Sequence, residues 1–135
     1  MARRAGDPLN LTGLWRGQYD YPIRRQPVSF TAAITETGAW ITGTTEEIAT
    51  GYEARGRVLT ATLQGRRLGG AVKFLKLYDA AMRSYDAVAY EGRLSPDGRE
   101  IDGRWTIPGN WSGTFLMVRA GEAEVEEALE AEAKG

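Results

Sequence analysis

Apolar and polar residues alternate with a period of two along most of this chain. That is the repeat of a strand with one face buried and the other in water. Val28 to Thr35 sets apolar or small residues against hydroxyl-bearing ones and is rich in β-branched side chains. Glu36-Thr37-Gly38 reads as a turn, and Trp40 to Thr45 returns as the second arm of a hairpin. Upstream, Leu11 to Tyr21 puts Gly13, Trp15, Gly17, Tyr19 and Tyr21 on one face. Gly51 to Gln64 predicts one or two strands, with Gly56 as a bend. Ala71 to Tyr78, Tyr85 to Leu94, Arg99 to Ile107 and Trp111 to Arg119 predict one strand each. Leu68-Gly69-Gly70 and Pro108-Gly109-Asn110 break the pattern as turns. So does Ser95-Pro96-Asp97-Gly98, where proline fixes φ and glycine supplies a positive φ.

About eight strands joined by short turns imply antiparallel neighbours. Such a series closes into an up-and-down barrel, which removes exposed edges. A two-sheet sandwich is the alternative, disfavoured because no long crossover is visible. The expected fold is therefore all-β, an eight-stranded antiparallel barrel. The character changes near the end. The last stretch is rich in Glu and Ala, with Val125, Ala128 and Leu129 at helical spacing, and predicts a short acidic helix. The chain divides into an N-terminal extension (1–10), a barrel domain (11–119) and an acidic helix or tail (120–135).

Composition narrows the chemistry. The 135 residues include no cysteine and no histidine. Disulfides, zinc–thiolate sites, thiol nucleophiles, Ser–His pairs and histidine-ligated metals are excluded. No metal, cofactor or catalytic residue is predicted. Seventeen glycines, nearly twice the usual ~7 % share, fit many turns and bent strands. The net charge is −1, but it is unevenly spread, with a mildly basic body and six glutamates after Arg119. So weak a basic excess gives no nucleic-acid footprint. No apolar run approaches the ~18 residues of a membrane span. Arg3 and Arg4 have no apolar run behind them, so a cytoplasmic location is expected.

The candidate site residues are aromatic. Tyr19, Tyr21, Phe30, Phe74, Tyr90, Trp105, Phe115 and Met117 either fill the core or line a cavity for an apolar or flat ligand. Tyr78 belongs with them. Small residues (Gly13, Gly17, Ala32, Gly43, Ala87, Ala89, Gly103 and Gly113) are expected to leave volume unfilled. Lys73 and Lys76 lie on opposite faces of one strand, and Lys76 shares its face with Phe74 and Tyr78. It either snorkels to the rim or pairs with a ligand carboxylate. Asp86 and Glu91 also oppose each other, and a buried Glu91 would be a general acid or base. Arg24-Arg25 and Arg66-Arg67 are expected in loops at a barrel mouth. Leu63, Leu116 and Val118 are expected to point outward and to offer a homodimer surface.

Leu11-Thr12-Gly13-Leu14-Trp15 resembles the opening of the avidin and streptavidin barrels. More broadly, it is similar to the Gly-x-Trp start of the calycins, which include lipocalins and fatty-acid-binding proteins. Phe30 to Ile34, Gly38 and Ile41-Thr42-Gly43-Thr44 resemble the second and third strands of avidin-type chains. Ile101-Asp102-Gly103-Arg104-Trp105 and Ser112 to Arg119 resemble the seventh and the closing strands. The resemblance implies that Arg119 packs across Trp15 and plugs one barrel end, leaving the other for a ligand. Gly17 and Tyr21 on the first strand, and Thr45 and Glu47 on the third, stand where avidins carry biotin's hydrogen-bond partners. Biotin binding is therefore not implied. Gly13-Leu14-Trp15-Arg16-Gly17 also resembles nitrobindin-type barrels, but without histidine their haem ligation is excluded in its usual form. The expected function is non-catalytic binding of a small hydrophobic or amphiphilic molecule inside the barrel. The alternatives are a metal-free isomerase or cyclase, and a protein-interaction or oligomerisation module.

Overall fold

The computed structural model of the protein describes residues 9–23, 26–48, 57–79, 87–109 and 111–121. They form eight strands: β1 (Gly13–Asp20), β2 (Val28–Thr37), β3 (Trp40–Ile48), β4 (Val58–Leu68), β5 (Ala71–Tyr78), β6 (Val88–Leu94), β7 (Glu100–Thr106) and β8 (Ser112–Arg119). Each pairs with the next, and β8 returns to pair with β1. All eight ladders are antiparallel. The result is a closed barrel, as the alternating pattern predicts, and not a sandwich. Closure pairs every strand on both sides, so no backbone edge is left open. Among the described residues there is no helix, and so none long and apolar enough to cross a membrane. The predicted acidic helix, Arg24-Arg25 and Asp86 lie outside the described residues.

Strand boundaries depart from the sequence pattern at several points, two of which meet in space. Glu36 belongs to β2, and the hairpin turn is only Gly38-Ala39, with Gly38 at a φ of 64°. Arg66 and Arg67 are not in a loop but end strand β4. One side-chain contact joins the two places. The Arg67 guanidinium donates from Nε and Nη2 to the two carboxylate oxygens of Glu36, both at 2.7 Å. A two-pronged pair of this kind fixes geometry as well as charge, and here it holds β4 beside the start of the β2–β3 hairpin.

Inward positions follow the period of two. In β2 they are Val28, Phe30, Ala32 and Ile34, all buried, with Ser29, Thr31 and Ala33 exposed between them. One barrel end is closed by its own side chains. Trp15 is buried there, and its indole Nε1 donates to the Leu11 carbonyl at 2.9 Å. The Arg119 guanidinium lies 4.5 Å above the Trp15 ring. It also donates to the carbonyls of Asn10 (2.8 Å), Gly98 (3.1 Å) and Thr12 (3.2 Å). The pairing implied by the calycin-like pattern is present. Its cation–π part contributes about 0.5–2 kcal/mol.

At Gly17 and Gly113 the expected unfilled volume is occupied. A methyl group on Gly17 would collide with the Phe30 ring, and one on Gly113 with the Trp105 indole. Gly17 and Gly113 are seats for aromatic rings, whereas Gly43 and Gly103 lie against neighbouring backbone. Leu63 is also placed differently from expectation: it points inward and is buried, so it belongs to no outer row. Leu116 is 41 % exposed and remains on the outside.

Candidate functional site

Strand direction places the site. β1, β3, β5 and β7 run away from the Trp15 end, and their last residues meet the first residues of β2, β4, β6 and β8 at the opposite end, called the wide end for its longer connections. The turns at the Trp15 end are short, two residues after β2 and two after β4. The wide-end connections after β3 and β5 are nine residues each. Long connections gathered at one end of a rigid barrel are where binding groups concentrate.

At that end the interior holds a polar network. In β3 the inward positions are Ile41, Gly43, Thr45 and Glu47, and Glu47 is 6 % exposed. Glu46, its neighbour, faces solvent by the same alternation. Lys76 is the inward residue of β5 above Phe74 and is 1 % exposed. Lys76 Nζ donates to Glu47 Oε1 at 2.7 Å. The Tyr78 hydroxyl donates to the same oxygen at 3.0 Å, and the Tyr19 hydroxyl donates to Glu47 Oε2 at 2.6 Å. One carboxylate thus joins β1, β3 and β5 across the barrel. Lys76 Nζ is also ringed by aromatic faces. Phe30 lies at 4.7 Å, Tyr19 and Tyr78 at 5.0 Å, and Tyr90 at 5.8 Å from ring centroids.

The electrostatics follow from burial. Desolvation lowers the Lys76 ammonium below its ordinary range, and the adjacent Glu47 carboxylate opposes that shift. Desolvation raises the Tyr19 and Tyr78 hydroxyls far above theirs, and the Glu47 charge adds to it. Tyr90 is raised chiefly by burial as well. Tyr19 and Tyr78 thus keep their protons and donate them to Glu47. Among the described residues one buried side-chain polar atom is left over. The Thr45 hydroxyl is buried two residues before Glu47 and has no hydrogen-bond partner. Its cross-strand neighbours are Ala32 and Ala61, both buried.

The sequence-selected aromatics are brought together in two groups. Tyr19, Tyr21, Phe30 and Trp105 cluster at the wide end, with Tyr19 5.8 to 6.2 Å from the other three. Phe74 stacks on Tyr90 at 4.8 Å, and Phe115 meets Tyr90 edge-on at 4.9 Å. Met117 is fully buried beside them. All eight face the interior; Tyr21 is only partly buried. Glu91, the expected acid or base, is exposed and pairs across β5 with exposed Lys73. The inward carboxylate is Glu47, and Lys76 neither snorkels nor stays unpaired. The parity of β3 carries the missed signal: counting in twos from Ile41 lands on Thr45 and Glu47. A concave surface of about 810 Å³ lies on the outer wall, edged by Trp40, Arg66, Lys73 and Leu75.

Neither a known protein-family model nor a curated protein matches this chain.

Proposed function

We propose that this protein binds a small amphiphilic molecule at the wide end of its barrel. The ligand's flat apolar body lies against the aromatic set, and its polar head meets Thr45 and the Glu47 network. The observation that carries this reading is the buried Glu47–Lys76 pair with its two phenols. A buried ion pair is commonly replaced by apolar residues with no loss of stability, so folding alone gives little reason to keep one. Recognition of a polar group does. The unpartnered Thr45 hydroxyl beside two alanines supplies a hydrogen-bonding position that the protein itself does not fill. The closed barrel, plugged at one end by Trp15 and Arg119, agrees with a calycin-like binding protein. It is in that superfamily, with biotin's partners replaced, that we place the chain.

The test is native mass spectrometry of freshly purified protein, repeated after denaturing extraction. The expected result is a mass excess that disappears on denaturation, and a smaller excess for Thr45→Val. A ligand-free mass, together with unchanged tryptophan fluorescence across a panel of aromatic alcohols and acids, would overturn the reading.

A further inference from the structure

We propose that the ligand head is a carbonyl group, held as an imine on Lys76 Nζ. The inference rests on the binding reading above and names its ligand class. Its starting point is placement. Lys76 is one of three lysines in the chain, with Lys73 and Lys134. Lys73 is exposed on the outer wall of the same strand, whereas Lys76 is sealed inside. A lysine held inside an apolar wall is the ordinary device for an amine that reacts with carbonyl compounds.

Charge conservation makes the network suited to this step. An ammonium and a carbonyl condense to a protonated imine and one water. Nζ first passes a proton to Glu47, 2.7 Å away. Its lone pair then forms the N–C bond, and the carbonyl oxygen takes one proton back from Glu47 and one from the nitrogen and leaves as water. The C=N bond forms as the oxygen departs. The product keeps one positive charge on nitrogen. Glu47 therefore has the same counter-ion before and after, and the rings around Nζ still face a cation. The Tyr78 hydroxyl, on the same carboxylate oxygen as Nζ, is placed to hydrogen-bond the departing oxygen. The rings of Tyr19, Phe30, Tyr78 and Tyr90 favour a flat conjugated carbonyl compound over a branched aliphatic one. Burial, which lowers the Lys76 ammonium, also eases the first proton transfer.

The experiment uses cinnamaldehyde with sodium cyanoborohydride, followed by peptide mass mapping. The expected result is a reduced adduct on Lys76 and none on Lys73. Lys73→Arg should keep the label and Lys76→Arg abolish it, with near-ultraviolet circular dichroism reporting whether the latter folds. If it does not fold, the wild-type peptide map still decides. Label on Lys73 or the N-terminal amine, with Lys76 unmodified, would overturn the proposal. Cinnamyl alcohol, which cannot form an imine, separates the two readings. If it changes tryptophan fluorescence while Lys76 stays unlabelled, only the imine is lost. If it also leaves the fluorescence unchanged, the binding site itself is in error.

Discussion

Thr45 and Glu47 stand two residues apart on β3, and their polar atoms meet opposite fates. Every oxygen of Glu47 has a donor, while the Thr45 hydroxyl has none. A buried hydroxyl without a partner costs about 1–3 kcal/mol. Thr45→Val should therefore raise the stability of the ligand-free protein, by about 1 kcal/mol in urea unfolding, while weakening ligand binding. Lys76 gives the reverse. Lys76→Met leaves Glu47 buried with two phenols and no cation, and should cost about 3–5 kcal/mol. The double substitution Lys76→Met with Glu47→Gln removes both charges and should recover most of that loss. If the single and double variants unfold at the same urea concentration, the ion pair is not a coupled unit.

Among the elements, β1 and β2 illustrate how ring and backbone share space. Gly17 pairs with Phe30, and the Phe30 ring lies where a Gly17 side chain would begin. Gly17→Ala must displace that ring from the Lys76 cage, and the expected loss is about 1–3 kcal/mol in thermal or urea unfolding. Eight strands were legible in the sequence because alternation and turn residues are local signals. β5 was read to the residue, and the Trp15–Arg119 contact came through likeness to calycins. The site was legible only as an aromatic set. Side-chain parity shows that Glu47 and Lys76 both point inward. It does not show that strands separated by β4 bring them within 2.7 Å. Nor could composition distinguish a glycine that leaves a gap from one that seats a ring. The same limit affected Leu63, whose neighbours on β4 alternate cleanly once the strand is known to begin at Val58.

At the scale of the whole molecule, the buried phenols govern behaviour in alkali. Tyr19, Tyr78 and Tyr90 hold their protons more tightly when folded than in the unfolded chain, whose phenols titrate near 10.0. Above about pH 10 the unfolded chain releases those protons and the native protein does not, so stability falls as pH rises. Lys76, lowered on folding, contributes a rise on the approach to its ordinary 10.5, but one lysine opposes three phenols. Ultraviolet titration should thus show Tyr19, Tyr78 and Tyr90 ionising only as the barrel unfolds. Smooth ionisation of all six tyrosines before any loss of circular dichroism would contradict the buried network. The end plugged by Arg119 has a consequence for how the chain reaches this state. Seven ladders join strands adjacent in sequence; the eighth joins β8 to β1, and the Arg119–Asn10 hydrogen bond beside it spans 109 positions. That junction carries the largest loop-closure entropy and comes together last on topological grounds. Until it does, β1 and β8 are two bare edges, open to pairing with another chain. The stacked Arg119 and Trp15 are then a latch on a seam, and how quickly they engage decides whether a folding chain closes on itself or on its neighbour.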